Sequence, residues 1–210
     1  IGYNTKEDGT GEFVSLGAKV TSNGTGVMDL WCVWAEYTPE TDFETKAEGS
    51  GISITKYNGT SDFVSIPAKI GGKNVVSVSA SAFAENQTLK TVVIPQTVKK
   101  VGQNAFKNCK ALKKADIPSC VTEIGTEAFW DCISYERIVI PASVKIIEKN
   151  AFRNCGECDG TARFEKTDGW MCFDSSEVVI DPLDLSDKKQ NAIFITFLYN
   201  DFTWKSSYFM

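Results

Sequence analysis

The residues best equipped for chemistry are seven cysteines: Cys32, Cys109, Cys120, Cys132, Cys155, Cys158 and Cys172. A thiolate can serve as a nucleophile or a metal ligand, but their spacing points elsewhere. Cys109, Cys132 and Cys155 lie 23 residues apart. That is a repeat register, and it reads as small buried hydrophobes. Cys155-Gly-Glu-Cys158 forms a CxxC, but no second CxxC joins it to complete a metal set. Cys158 and Cys172 are left either to pair locally or to stay free. The chain has no histidine, which excludes Ser-His-Asp and Cys-His catalysis and imidazole zinc sites. Asp181, Asp184 and Asp187 are spaced like cation ligands, but they lack the glycine and closing glutamate of a calcium loop. They read as capping and turn residues. No spacing nominates the paired carboxylates of a glycosidase, and no glycine-rich phosphate loop follows a strand. Catalytic residues, metal and cofactor are therefore all assigned as none, and the chain is expected not to be an enzyme.

The elements behind those residues belong to a folded protein. Of 210 residues, 42% are hydrophobic and 23% charged, which excludes a disordered chain. A net charge of −5 argues against a general nucleic-acid-binding surface. No 18-residue apolar run is present, so no membrane-spanning helix is expected in this segment. The chain begins Ile1-Gly2-Tyr3, which is read as a mature or truncated start.

An internal period sets the architecture. Ala-Phe occurs at Ala82-Phe83, Ala105-Phe106, Ala128-Phe129 and Ala151-Phe152, always 23 residues apart. Ile-Pro recurs at Ile94-Pro95, Ile117-Pro118 and Ile140-Pro141 in the same step. An earlier Ile66-Pro67 lies 28 residues upstream of the first of these. Each unit begins on a large apolar residue (Leu89, Leu112, Tyr135) and continues through Val92, Ala115 or Ile138 to the Ile-Pro. Such a segment is too short for a helix and suits a short strand that the proline ends. Gly102 and Gly125 are read as turn residues, and Ala-Phe as a tight helical turn with Phe inside. One unit cannot bury its own apolar face, so units must stack with strands in parallel. Phe83, Phe106, Phe129 and Phe152 should then form one column, and Cys109, Cys132 and Cys155 another. Asn86 takes the Cys position in the first unit.

The unit Leu112-x-x-Ala-x-Ile-Pro-x-x-Val-x-x-Ile-Gly-x-x-Ala-Phe-x-x-Cys resembles the BspA-like leucine-rich repeat. The resemblance covers about residues 53–158. It implies a mainly β solenoid of about four 23-residue units with parallel strands and short helical turns. Residues 1–38 hold Gly2 to Gly11, Gly17, Val20 and Leu30-Trp31-Cys32-Val33-Trp34. They resemble the second half of a Listeria–Bacteroides repeat, a β-grasp-like module of bacterial surface proteins, with Trp31 and Cys32 in place of its usual Tyr and Ala. Residues 39–52, with Glu40, Asp42, Glu44, Glu48 and Gly49-Ser50-Gly51, read as a linker. Residues 159–210 read as a C-terminal cap, with a helix from Ser186-Asp187 to about Tyr199 and a returning strand after Phe202.

Two sets of residues are candidates for ligand binding. Lys90, Lys113, Lys114 and Arg137 fall on or beside the expected strands, where a basic stripe could meet an acidic protein segment or a glycan. Asp62, Asp116 and Glu136 interrupt that stripe, so ordinary solvated charge is the competing reading. Trp130 occupies the register that holds Lys107 and Arg153 in neighbouring units. It is either an interface anchor or packed against a neighbouring segment. The resemblance implies a non-enzymatic, bacterial cell-surface or secreted scaffold for protein binding or adhesion. A carbohydrate-binding module and a structural spacer of a larger surface protein are the alternatives.

Overall fold

A computed structural model describes residues 38–136, 138–155 and 163–165, with short strands at 2–4, 13–15, 31–33, 170–173, 179–183 and 203–206. The chain divides into two compact units, Ile1–Tyr37 and Thr38–Met210. In the first, β1 (Gly2–Asn4) pairs antiparallel with β2 (Phe13–Ser15) and β3 (Trp31–Val33). The helix expected over 186–199 lies outside the described residues.

The second unit opens with a 3-10 turn, Glu40–Asp42. Its strands are β4 (Phe43–Glu48), β5 (Gly51–Tyr57), β6 (Phe63–Ser65), β7 (Lys69–Ile70), β8 (Lys73–Val78), β9 (Thr91–Val93), β10 (Lys100–Val101), β11 (Lys114–Asp116), β12 (Glu123–Ile124), β13 (Val139–Ile140), β14 (Ile146–Ile147), β15 (Arg163–Phe164), β16 (Trp170–Phe173), β17 (Val179–Leu183) and β18 (Thr203–Ser206). The chain coils as a β-solenoid with a rung every 23 residues. One side of the coil is the parallel sheet β6–β9–β11, extended by β13 with β15. A second parallel side, β8–β10–β12–β14, was not anticipated. Its later strands span two residues each, too few to display a period of two.

The third side is the Ala-Phe corner, where backbone N–H groups alternate between two duties. Ala105, Lys107 and Cys109 donate three residues back, to Gly102, Asn104 and Phe106, in successive turns. Asn104, Phe106 and Asn108 donate to Thr126, Ala128 and Trp130 of the next rung, at 2.9, 2.7 and 2.7 Å. Buried amides are thus satisfied both within and between rungs. The alternation requires two left-handed residues per corner. They recur at Ser81, Asn104, Glu127 and Asn150, and at Glu85, Asn108, Asp131 and Asn154, with φ between 55° and 63°. Asn and Asp tolerate that region better than most residues, Ser and Glu less so.

The core lies inside these three sides. Val64, Val92, Ala115 and Ile138 fill it from the first sheet, and Ile54, Val78, Val101, Ile124 and Ile147 from the second. The rings of Phe83, Phe106, Phe129 and Phe152 stack at 4.9, 5.1 and 5.2 Å. Tyr57 stacks on Phe83 at 5.3 Å and carries the column to the first rung. Tyr135, in a position where other units have Leu, is buried and donates its hydroxyl to the Ala115 carbonyl.

Two local readings of the sequence require correction. The stretch 39–52 is not a linker: β4 and the start of β5 form an antiparallel hairpin there. Glu44 through Glu48 are exposed, so no apolar alternation marks the strand. Gly102 and Gly125 are not positive-φ turn residues. A Cβ on Gly102 would lie 2.8 Å from the Val78 carbonyl oxygen, and one on Gly125 2.7 Å from the Gln103 nitrogen. At these two rungs a Cβ would press on the backbone of the preceding rung, whereas the same register accommodates Ser79 one rung before and Glu148 one rung on.

Candidate functional site

The sheet β6–β9–β11 presents its alternate residues outward. Val64, Val92 and Ala115 point into the core, which leaves Phe63, Thr91 and Lys114 in one outer row and Ser65, Val93 and Asp116 in the next. Rung spacing in such a sheet is about 4.8 Å. The backbone is pinned from rung to rung: Lys113 N–H and Lys114 N–H both donate to the Lys90 carbonyl, at 2.8 and 3.1 Å. The face is therefore a fixed grid. Val93 and Val139 are half-buried on it, beside exposed Asp116.

The lysines expected to form a basic stripe do lie along this side, but each meets an acid. Lys90 Nζ is 3.0 Å from Asp62, Lys113 4.0 Å from Glu136, and Lys114 3.4 Å from Asp116. Exposed pairs of this kind contribute about 0–1 kcal/mol. Their result here is a face of alternating sign, not a positive stripe. Asp62 lies 28 residues before Lys90, and Glu136 lies 23 after Lys113. Only the repeat register could have shown those pairings in advance. Arg137 lies outside the described residues.

Trp130 sits on another side of the coil, in the corner ladder, so the structure does not bring it into the lysine rows. It is half-buried. Lys107 Nζ lies over its ring at 4.6 Å and the Arg153 guanidinium also at 4.6 Å. Lys107 is further held by Glu127 at 2.6 Å. The cations belong to the preceding and following rungs, so each faces the ring along the stack. Cation–π contacts of this kind contribute roughly 0.5–2 kcal/mol. A sugar stacks on the face of an aromatic ring, and Trp130 has cations over its faces. Among the described residues, the ring's cation partners are therefore the same register position of the adjacent units.

The cysteine column has a packing role. Cys109, Cys132 and Cys155 are buried. Their thiols donate to the carbonyls of Phe83, Phe106 and Phe129, at 3.0, 3.1 and 2.7 Å. Each thiol thus ties its rung to the preceding aromatic one. Burial pushes the Cys109 thiol up from its ordinary pKa. A hydrogen bond with Cys155, together with burial, does the same for Cys132. Both are held protonated and away from thiolate chemistry. Asn86, at the Cys position of the first unit, instead accepts from the Thr88 and Leu89 amides at 3.0 and 2.9 Å. Cys120 is exposed. The side chains of Cys158 and Cys172, and the Asp181, Asp184 and Asp187 carboxylates, lie outside the described residues. Among the described residues, no group of three or more His, Cys, Asp or Glu is placed to hold a metal ion, and no helix is long and apolar enough to cross a membrane.

Comparison with known proteins bears on the repeat. A sequence model of the BspA type leucine rich repeat region matches residues 55–165, in six copies. No curated protein matches the chain in sequence. A solved leucine rich repeat protein of T. pallidum is 34% identical, with a TM-score of 0.57 over 59% of this chain and 58% of that one. One from Bacteroides capillosus ATCC 29799 is 24% identical, with a TM-score of 0.53 over 60% of this chain and 95% of that one. This chain thus spans about 58% of the T. pallidum protein's length. The 23-residue rung, the Ile-Pro stop and the Phe and Cys columns fall within the matched residues, and the chain belongs to the BspA type leucine-rich repeat family.

Proposed function

We propose that this chain is a non-enzymatic, surface-displayed or secreted scaffold that binds a protein partner, in adhesion or cell contact, through the outward face of β6, β9 and β11. One observation carries the reading. The solenoid holds a grid of mixed character, Thr91, Val93, Lys114 and Asp116, in which the central strand β9 is hydrogen-bonded to β6 on one side and β11 on the other. Such a face offers half-buried apolar area ringed by charge at little ordering cost, the usual anatomy of a protein interface. The resemblance of residues 1–38 to a surface-protein repeat supports display outside the cell. Alternating charge favours a protein partner with its own mixed pattern over a uniformly acidic polymer.

The test is capture of extracellular-matrix and mucosal proteins by the immobilised full chain. A variant carrying Val93→Asp with Lys114→Glu is the control, since both positions face outward. Saturable capture by the wild type and its loss in the variant are expected. Absence of any saturable partner, or equal capture by the variant, would overturn the reading.

A further inference from the structure

Two strand edges of the solenoid carry a device that stops further pairing. At β6, Ser61 Oγ accepts the Phe63 N–H at 3.2 Å, and Thr38 Oγ1 accepts the Ser65 N–H at 2.9 Å. At one end of the larger sheet lies β17, which contains Pro182, and a proline cannot extend a ladder. The other end is β4, Phe43–Glu48. It has six residues, no proline, and side chains exposed from Glu44 to Glu48; the register shift in its pairing with β5, between Glu44 and Thr45, takes its extra residue, Thr55, from β5 and inserts none in β4. An edge of this length is a template for another strand.

Its charges also favour one occupant. We propose that β4 pairs antiparallel with β4 of a second copy of this chain, about a two-fold axis at Thr45. In that register Thr45 faces Thr45, and Glu44 faces Lys46 twice. Centring the axis on Lys46 would set Glu44 against Glu48, a like-charge pair. Centring it between Thr45 and Lys46 sets Glu44 against Ala47 and Phe43 against Glu48, with no opposite charges facing. Lys46 makes no ion pair among the described residues. Glu48 is engaged elsewhere, accepting from Ser77 Oγ at 2.7 Å. Glu44 accepts from Asn58 Nδ2 at 2.9 Å through one oxygen only, and the bond orients its carboxylate. The contact joins two ten-stranded sheets into one. A six-residue strand pair buries less than a permanent interface needs, so the association is of the weak class. It is most effective where copies are crowded on a surface.

Sedimentation velocity of the full chain over a concentration series up to its solubility limit tests this. The wild type should shift reversibly from one-chain to two-chain species. Lys46→Glu should weaken the association about tenfold or more, because both facing pairs become repulsive. The double variant Glu44→Lys, Lys46→Glu restores complementarity and should recover it. A Thr45→Cys variant should give a 45–45 cross-linked peptide under mild oxidation, while Lys46→Cys should not link to itself. A wild type that stays single-chain throughout would overturn the proposal. So would a Lys46→Glu variant that associates as well as the wild type, or a charge swap that fails to rescue while its circular dichroism is unchanged.

Discussion

Phe106→Ala tests the aromatic column where it is most constrained. The Phe106 side chain is fully buried, with rings 4.9 Å away on one side and 5.1 Å on the other. A buried Phe→Ala change costs about 3–5 kcal/mol, depending on how far the site collapses. Collapse is limited here. The Phe83 amide is bonded to the Ala105 carbonyl at 2.8 Å and the Phe106 amide to the Ala128 carbonyl at 2.7 Å, so the rungs cannot move into the void. Both neighbouring rings also lose a stacking partner, at about 0.5–1.5 kcal/mol for each pair. The loss should therefore fall in the upper part of the range, about 4–5 kcal/mol, a large share of a typical 5–15 kcal/mol total. Urea unfolding followed by circular dichroism reads it directly, and Phe106→Leu should cost much less. Double-mutant cycles should show coupling of Phe106 with Phe129, which it touches, and near-additivity with Phe152, one rung further. A loss below about 1 kcal/mol, or equal coupling to both rings, would refute the column as an energetic unit.

Gly125→Ala should destabilise by about 1–3 kcal/mol in urea melts, because its Cβ would meet backbone of the preceding rung at 2.7 Å. Ser81→Gly should stabilise by about 0.5–1 kcal/mol, since Ser81 holds a left-handed φ of 58° on an exposed corner. Cys109 and Cys132 have folded pKa values above the unfolded one. Their contribution is therefore fully present below pH ~8.5 and is lost as pH rises above it. Each thiol should add a slope of roughly 1.4 kcal/mol per pH unit, and Cys109→Ala with Cys132→Ala should flatten that part of the stability curve. In the native state a thiol reagent should label Cys120 promptly and Cys109, Cys132 and Cys155 only on unfolding, as mass spectrometry of labelled peptides would report.

The repeat was legible because it is written in types that do one job each: Pro to end a strand, Phe to fill the centre, Cys to fit a narrow buried slot. The second strand column was hidden by its length, since Lys100-Val101 and Glu123-Ile124 cannot show alternation. The hairpin at β4 was hidden because both its faces meet water from Glu44 to Glu48. Asn and Asp at 108, 131 and 154 did carry a signal for left-handed backbone, but Glu85 fills the same slot in the first unit and blurs it. Gly102 and Gly125 were visible as glycines, while their reason, contact with the rung before, exists only in three dimensions. The candidate face was legible in part. The lysines fall beside the strands as expected, but the acids that neutralise them become neighbours only through rung stacking. Trp130 was placed correctly in register with Lys107 and Arg153, and stacking turns that register into a cation on each side of the ring.

The claim that matters most is that a partner meets the outward face of β6, β9 and β11. Hydrogen–deuterium exchange of the full chain with and without a captured partner measures it most directly. The account predicts added protection confined to peptides spanning 61–66, 89–94 and 112–117, with the corner peptides around Trp130 unchanged. Protection centred on the 126–133 corner, with the strand peptides unaffected, would contradict it.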